Sequence, residues 1–272
     1  MRHYIRSGWT LARRSWFLLT LLFLYQYGWG FAILAWVKNT AVPLLHRFPG
    51  GELPEASVRL FWIETEFQLV KTSLAAPYLG TFLVLLLVRM AVTPLLNAGI
   101  LTVLSSSGEG SARKTFFAGI RRHWKMFLLL YALQTLLTFV PLLWAVPYAA
   151  AHISAAADWT QAAAAILPLA AGWLAWQGLL DLVFLYAGFG VAGGAGAAAG
   201  AAAFLRRALP AAALAFLMFL ISFAVSAAFS LLTVWWAGWA ALILHQSYPL
   251  LRSLLKLWAI GAQYRLWETT RS

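Results

Sequence analysis

The sequence predicts an all-α, polytopic membrane helix bundle, with six transmembrane helices arranged as three hairpins and both termini in the cytoplasm. Composition is the first reason, because 62% of the 272 residues are apolar and 10% are charged. A soluble domain is about half apolar and a quarter charged. The apolar residues also form runs long enough to cross a bilayer. Arginine pairs precede three of these runs, and Lys and Arg beside a span mark its cytoplasmic end.

The arginine pairs stand just before the apolar runs 17–37, 126–150 and 210–232. We interpret each pair as lying in the cytoplasmic headgroup layer, at the start of a helix that crosses outward. Such a pair is an ordinary orientation signal, but together with the free N–H groups of a helix start it also suits a lipid phosphate. The candidate headgroup-binding residues are Arg13, Arg14, Arg121, Arg122, Arg206 and Arg207.

The first span is predicted at 15–37, which makes ~35 Å of helix against a hydrocarbon core of ~30 Å. The run is too long for the apolar part of a cleavable signal, which has about 7–15 residues, so we expect an uncleaved span. The polar segment 38–71 follows, and its part 54–70 has the pattern of a short interfacial helix. This segment is either an ordered outer loop or a substrate lid.

The next three spans are predicted at 75–104, 126–150 and 162–191. A basic amphipathic piece, 111–125, leads into the third span. After the fourth span comes a Gly/Ala tract, 192–203. It is either a flexible connector or a tightly packed helix of small residues.

The last apolar stretch, 210–246, would be ~55 Å long as one helix, which is too long for a single span. We place a turn at 233–239, where the tryptophans suit the outer interface, and a sixth span at about 239–258. The whole chain is then a single membrane domain. The domain is 1–272, and its hairpins cover about 12–104, 120–191 and 205–266.

The distribution of charge predicts the topology. The segments assigned to the cytoplasm carry thirteen Lys and Arg residues, whereas the opposite side carries four. This asymmetry follows the positive-inside rule. The net charge of +12 also raises the question of nucleic acid, but the charges flank apolar runs and form no basic polar domain. We therefore exclude nucleic acid as a partner.

An internal repeat is predicted from polar positions near the inner ends of the spans. One Leu-Leu-polar triplet ends at Asn97 and another at Asp181. An arginine pair ends 25 residues after the first triplet and 26 residues after the second. A third triplet ends at Lys256 in the last hairpin. This spacing favours three hairpins of one plan.

Polar and charged residues inside the spans are the sharpest local signal, because a charge at the bilayer centre costs about 2.5–3.5 kcal/mol and usually faces a partner. Asp181 is the only acid within a predicted span, and we predict that it pairs with Lys256 or Arg252. Three interpretations stay open: a polar clamp that fixes helix register, bases that reach the headgroups alone, or a cavity for an anionic group such as a lipid phosphate. The predicted cluster is Arg89, Asn97, Asp181, Arg252 and Lys256.

Other motifs do not point to chemistry. The segment 188–193 spells G-x-G-x-x-G, but it closes a span and no acidic residue follows before Glu268, unlike a dinucleotide site. The five histidines are scattered and there is no cysteine, so we expect neither a metal site nor a Cys nucleophile. We expect no cofactor and no enzymatic activity.

Three segments carry a resemblance to a known family. They are Pro-Leu-Leu-Asn-Ala-Gly-Ile at 94–100, Phe-Phe-Ala-Gly-Ile-Arg-Arg at 116–122 and Ala-Ile-Gly-Ala-Gln-Tyr-Arg-Leu at 259–266. This layout is similar to that of six-helix bacterial integral membrane proteins related to the membrane domain of glycerophosphoryl diester phosphodiesterases. The resemblance implies a stand-alone module in the bacterial cytoplasmic membrane. It carries over no catalytic residue, because the chemistry of those phosphodiesterases belongs to a separate soluble domain.

Two functions are compatible with this sequence. The first is a non-enzymatic membrane module or partner subunit that contacts anionic lipid. The second is a transport component, either a small-solute permease or the membrane subunit of an exporter with a membrane or ATPase partner subunit. Transport requires a water-accessible path along the intramembrane polar residues, whereas a module can have a dry interior.

Overall fold

The computed structural model describes residues 1–45, 60, 76–106, 111–155, 158–235 and 239–269. Within these ranges every regular element is an α-helix, which confirms the predicted all-α class. The predicted interfacial helix 54–70 lies outside the described residues, except for the helical Leu60. The helices are α1 (Arg2–Arg14), α2 (Trp16–Leu45), α3 (Ala76–Ser105), α4 (Ala112–Phe139), α5 (Leu142–Ala155), α6 (Trp159–Ala192), α7 (Ala197–Arg206), α8 (Ala208–Trp235) and α9 (Trp239–Glu268).

Five described segments are long and apolar enough to cross a membrane, so the chain is a multi-pass membrane protein. They are Trp16–Thr40, Tyr78–Ser105, Ala112–Ile153, Thr160–Ala192 and Ala208–Leu232. The predicted sixth span, 239–258, falls in α9, which is not one of the five. Arg252 and Lys256 lower the apolar character of that helix. The count of six spans therefore stays a prediction.

Large apolar side chains are exposed along the spans. Leu136 is 65% exposed, Phe216 62% and Leu231 64%. A monomeric soluble protein rarely exposes contiguous apolar surface on this scale. In a bilayer the same side chains contact lipid tails, which solvate them at no cost.

The third predicted span consists of two helices, because Pro141 interrupts it. Proline has no N–H, so it leaves the carbonyl four residues earlier, that of Leu137, without its helical donor. The indole Nε1 of Trp176 in α6 donates to the Leu137 oxygen at 3.0 Å, and that of Trp173 donates to the Thr138 oxygen at 3.1 Å. Because hydrocarbon offers no donor to a freed carbonyl, these two bonds stabilise the break and join α4 to α6.

The chain forms two compact units. The smaller unit is Leu21–Val92, and the larger one joins Met1–Thr20 to Thr93–Ser272. In the smaller unit, the indole of Trp36 donates to the Tyr78 carbonyl at 3.2 Å, which links α2 to the start of α3.

The larger unit is held together at one end, where α1 packs on the C-terminal part of α9. A Cβ on Gly8 would lie 2.6 Å from the backbone nitrogen of Ala262, so the two helices approach at backbone distance. The Nε1 of Trp258 donates to the Ile5 carbonyl at 2.8 Å. The arginines of α1 are exposed. The predicted basic N-terminus is therefore an amphipathic helix that packs on the end of α9.

A glycine turn brings α7 back against α6 at the same end. Gly194 and Gly196 have φ of +77° and +90°, values that glycine adopts without strain. The N–H groups of Ala195 and Gly196 donate to the Gly190 carbonyl at 2.8 and 3.0 Å, which closes α6. A Cβ on Gly200 would collide with the Tyr186 carbonyl, so α7 lies directly on α6. The sequence left the tract 192–203 as either a flexible connector or a packed helix. From Ala197 onward the structure shows a packed helix.

The remaining helices meet the same region through small residues. A Cβ on Gly99 of α3 would collide with the Phe116 ring of α4, and one on Gly188 of α6 would lie 2.8 Å from Leu101 of α3. We call this region the packed end. It comprises α1, α7, the C-terminal ends of α3, α6 and α9, and the N-terminal ends of α4 and α8.

Replacing Gly190 by Val should destabilise the packed end, because the new side chain would collide with the backbone of Gly196 and approach that of Gly200. Overpacking of this kind typically costs about 1–3 kcal/mol. Gly178→Val is a matched control on the same helix, because a Cβ at Gly178 meets nothing within 4 Å. We expect a lower Tm in detergent for Gly190→Val and little change for the control. Equal Tm values would contradict the close approach of α6 and α7.

Candidate functional site

A polar cavity lies in the larger unit, beside the packed end. Its volume is about 290 Å³. Four different helices each contribute one polar side chain to its wall, while the rest of the wall is largely apolar and aromatic. The four polar residues are Asn97, Gln134, Asp181 and Lys256.

The central contact of the cavity is a short hydrogen bond between α4 and α6. The amide Nε2 of Gln134 donates to Oδ1 of Asp181 at 2.6 Å. A bond to an ionised acceptor is shorter and stronger than one between neutral groups. The two tryptophan bonds that cap the α4 break lie on the same pair of helices, so they hold α4 and α6 in the register that this contact needs.

Lys256 faces the same cavity from α9. The carboxylate of Asp181 and the ammonium group of Lys256 therefore line one cavity, and their pairing stays a prediction. The hydrogen-bond donor to that carboxylate, however, is Gln134. The sequence signal for Gln134 is one amide inside an otherwise apolar run, which is weaker than the signal from a charged residue.

Two members of the predicted cluster do not line the cavity. Arg252 is exposed on α9, one turn before Lys256, and is not part of the cavity wall. Arg89 belongs to the smaller unit, where its side chain is exposed. The structure therefore brings together Asn97, Asp181 and Lys256 and adds Gln134 to them.

Asp181 and Lys256 are exposed at the cavity. Exposure of a carboxylate to hydrocarbon would cost a few kcal/mol, whereas water or a polar headgroup in the cavity would satisfy it.

A buried hydrogen-bond chain holds the helices behind the cavity. The Tyr186 hydroxyl donates to Oε1 of Gln263 at 2.9 Å, and Nε2 of Gln263 donates to the Ala211 carbonyl at 3.0 Å. This chain links α6, α9 and α8. Tyr186 follows Asp181 by five residues on α6, and Gln263 follows Lys256 by seven residues on α9. The hydrogen-bond chain therefore fixes the depth of both charged residues in the bundle. Neither Tyr186 nor Gln263 was a sequence candidate.

The six predicted headgroup residues are all exposed. Arg13 and Arg14 end α1, and Arg206 and Arg207 lie at the α7–α8 junction. Arg121 and Arg122 lie inside the continuous helix α4 rather than at its start. No described acid forms an ion pair with any of the six, whereas Arg265 pairs with Glu268 at 2.7 Å. The six are Arg13, Arg14, Arg121, Arg122, Arg206 and Arg207.

A basic groove runs along the first turns of α4. Arg113, Lys114 and Arg121 line it together with Phe117, which is 52% exposed. Three cations beside an exposed aromatic ring combine attraction for an anionic lipid surface with a side chain that can enter the interface.

Among the described residues, no group of three or more His, Asp or Glu side chains could hold a metal ion. Comparison of the chain with protein-family models, with curated proteins and with solved structures finds no match.

A double-mutant cycle should measure the contact between Gln134 and Asp181. We expect Gln134→Leu and Asp181→Leu to be coupled by about 1 kcal/mol in detergent unfolding, because interhelical hydrogen bonds in membranes contribute about 0.6 and at most about 1.7 kcal/mol. A cycle of Gln134→Leu with Gln263→Leu should be additive, since Gln263 bonds elsewhere. Additivity in the first cycle as well would contradict a clamp between α4 and α6.

Proposed function

We propose that this chain is a non-enzymatic membrane module, acting alone or as a partner subunit, whose packed end lies in the cytoplasm and contacts anionic lipid. One observation carries the proposal. The exposed arginine pairs and the basic groove belong to helix segments of the packed end. Rigid packing thus coincides with a concentration of positive charge.

The contact between α1 and the end of α9 supports placing both termini on one side of the membrane. The excess of Lys and Arg at that end supports the cytoplasmic side. Six spans in three hairpins satisfy this topology, with α9 as the last span. The resemblance stated above supports a bacterial cytoplasmic membrane.

Anionic lipid is the partner that this charge pattern favours. The cytoplasmic leaflet carries a negative surface potential, and each Lys or Arg near it contributes about 1 kcal/mol. Exposed arginines spread over several helices resemble a surface for headgroups more than a pocket for one substrate. The module would therefore hold the bundle at a defined depth and attract anionic lipid around its cytoplasmic rim.

Replacing Arg121 and Arg122 by Gln should lower the preference of the protein for phosphatidylglycerol over phosphatidylcholine, by about 1 kcal/mol per arginine. Native mass spectra of protein released from nanodiscs containing both lipids measure this preference. The charge-conserving control, Arg121→Lys with Arg122→Lys, should keep most of it. An unchanged preference in the Gln variant would contradict lipid contact at α4.

The cavity favours a second candidate, a transport component. Its polar side chains come from four helices of the bundle, as a substrate site between helices requires. Transport also needs water to reach the cavity from one side and then from the other. In this alternative, Asp181 and Lys256 would contact the solute, and an ATPase or membrane partner subunit would supply or regulate the movement.

Single cysteines can separate the two candidates, because the chain has no cysteine of its own. We expect a membrane-impermeant maleimide to label Ser111→Cys from the cytoplasm and Thr160→Cys from outside. Leu130→Cys lies on the cavity wall and should resist the reagent from at least one side, because a module has no continuous aqueous path.

Leu136→Cys is the matched control, since that side chain is 65% exposed on the same helix and should contact lipid. Labelling of Leu130→Cys from both sides, but of Leu136→Cys from neither, would favour transport over the module. Labelling of Ser111→Cys and Thr160→Cys from the same side would contradict the topology itself.

A further inference from the structure

A second cavity, widely open to the surface, lies between α1 and α9 at the packed end. Its volume is about 310 Å³. The lining residues are Arg2, Ile5, Arg6, Trp9 and Trp258. Two arginines and two tryptophans around one cavity combine positive charge with a rigid aromatic surface. Neither Arg2 nor Arg6 belongs to the arginine pairs considered above.

The floor of this cavity is fixed by hydrogen bonding and ring packing. The Nε1 of Trp258 donates to the Ile5 carbonyl at 2.8 Å, so the indole is held in place. Trp9 meets Trp258 edge to face, with ring centroids 4.9 Å apart. The polar atom of Trp258 is thereby occupied, and its ring offers an apolar face to a ligand.

The rim of the cavity is positive. Arg2 and Arg6 are spaced four residues apart on α1, so they lie on the same face of the helix. Both side chains are exposed, and no described acid forms an ion pair with either of them. Two guanidinium groups on one helix face present several N–H donors to a single phosphate.

We propose that this cavity binds the headgroup of one anionic phospholipid. Arg2 and Arg6 would hold its phosphate, and Trp9 and Trp258 would contact the glycerol and the first acyl carbons. The inference deepens the proposed contact with anionic lipid and rests on it, because it gives that contact one defined site.

A lipid fits this cavity better than a soluble anion does. A dissolved phosphate needs donors on several sides, whereas three of the five lining residues here are apolar or aromatic. Tryptophan is enriched at the membrane interface because it has an apolar ring and a polar edge. An amphipathic helix with exposed arginines on one face lies at the same depth. Charge at the rim and apolar surface at the floor match a molecule that is anionic at one end and apolar at the other.

The test uses the full chain, stripped of lipid in detergent and titrated with phosphatidylglycerol, with bound lipid counted by native mass spectrometry. The double variant Arg2→Gln/Arg6→Gln should weaken the tightest binding event by roughly 30-fold, as expected for two arginines at an anionic surface. The matched control Arg13→Gln/Arg14→Gln removes the same charge from the same helix but outside the cavity. It should weaken that event clearly less, because Arg13 and Arg14 contribute only to the general contact with anionic lipid.

Equal weakening in both double variants would overturn the defined site and leave the general contact with anionic lipid standing. No weakening in either of them, together with none in Arg121→Gln/Arg122→Gln, would overturn the site and the proposed function together. Phosphatidylcholine that binds as tightly as phosphatidylglycerol would also overturn the site.

Inorganic phosphate provides a further arm of the test. If it competes with phosphatidylglycerol at millimolar concentration, and loses this ability in Arg2→Gln/Arg6→Gln, the site is one for a soluble anion and the lipid proposal fails. The Tm in lipid-free detergent should be the same for the wild type and both double variants. A lower Tm for Arg2→Gln/Arg6→Gln would assign the two arginines to packing and contradict the proposal.

Discussion

Close approach of helix backbones at the packed end is the constraint on which the rest of the structure depends. Lipid tails are as apolar as leucine, so membrane helices associate through tight van der Waals packing rather than by hiding apolar surface. Such packing requires small residues, and Gly8 against Ala262 and Gly190 against Gly200 bring backbones into contact. Elsewhere the spans expose large apolar side chains and depend on the lipid around them.

The polar cavity depends on this arrangement. It lies just beyond the packed end, where the helices are near enough for Gln134 to reach Asp181 yet leave room for Asn97 and Lys256. Its depth is set by contacts that include none of these four side chains, namely the tryptophan caps on α4 and the hydrogen-bond chain from Tyr186 through Gln263. These contacts would therefore still hold the helices in place if any one of the four polar side chains were changed.

The sequence predicted the all-α class and the apolar runs long enough to span a membrane, because run length is read directly along a chain. It also placed Asn97, Asp181 and Lys256 at similar depths, and the structure brings these three into one cavity. It did not predict that residues 2–14 form a separate helix or that the third span breaks at Pro141. It did not single out Gln134, because one amide in an apolar run has no periodic signature. It left the Gly/Ala tract undecided, since composition does not distinguish a connector from a packed helix. Contacts between helices, such as that of Gly200 with Tyr186, decide which helix faces meet. The pattern of residues within one helix does not contain this information.

The pairing of α1 with α9 also bears on how the protein is made. The ribosome produces α1 about 250 residues before the surface around Ala262 that covers it. At about 5–20 residues per second this interval is roughly 10–50 s. During that time the apolar face of α1 lacks its final partner, and it would rest on the membrane surface if it behaves as amphipathic helices do. Docking of α1 must therefore wait for α9, and a chain terminated before α9 would leave the apolar face of α1 uncovered by protein.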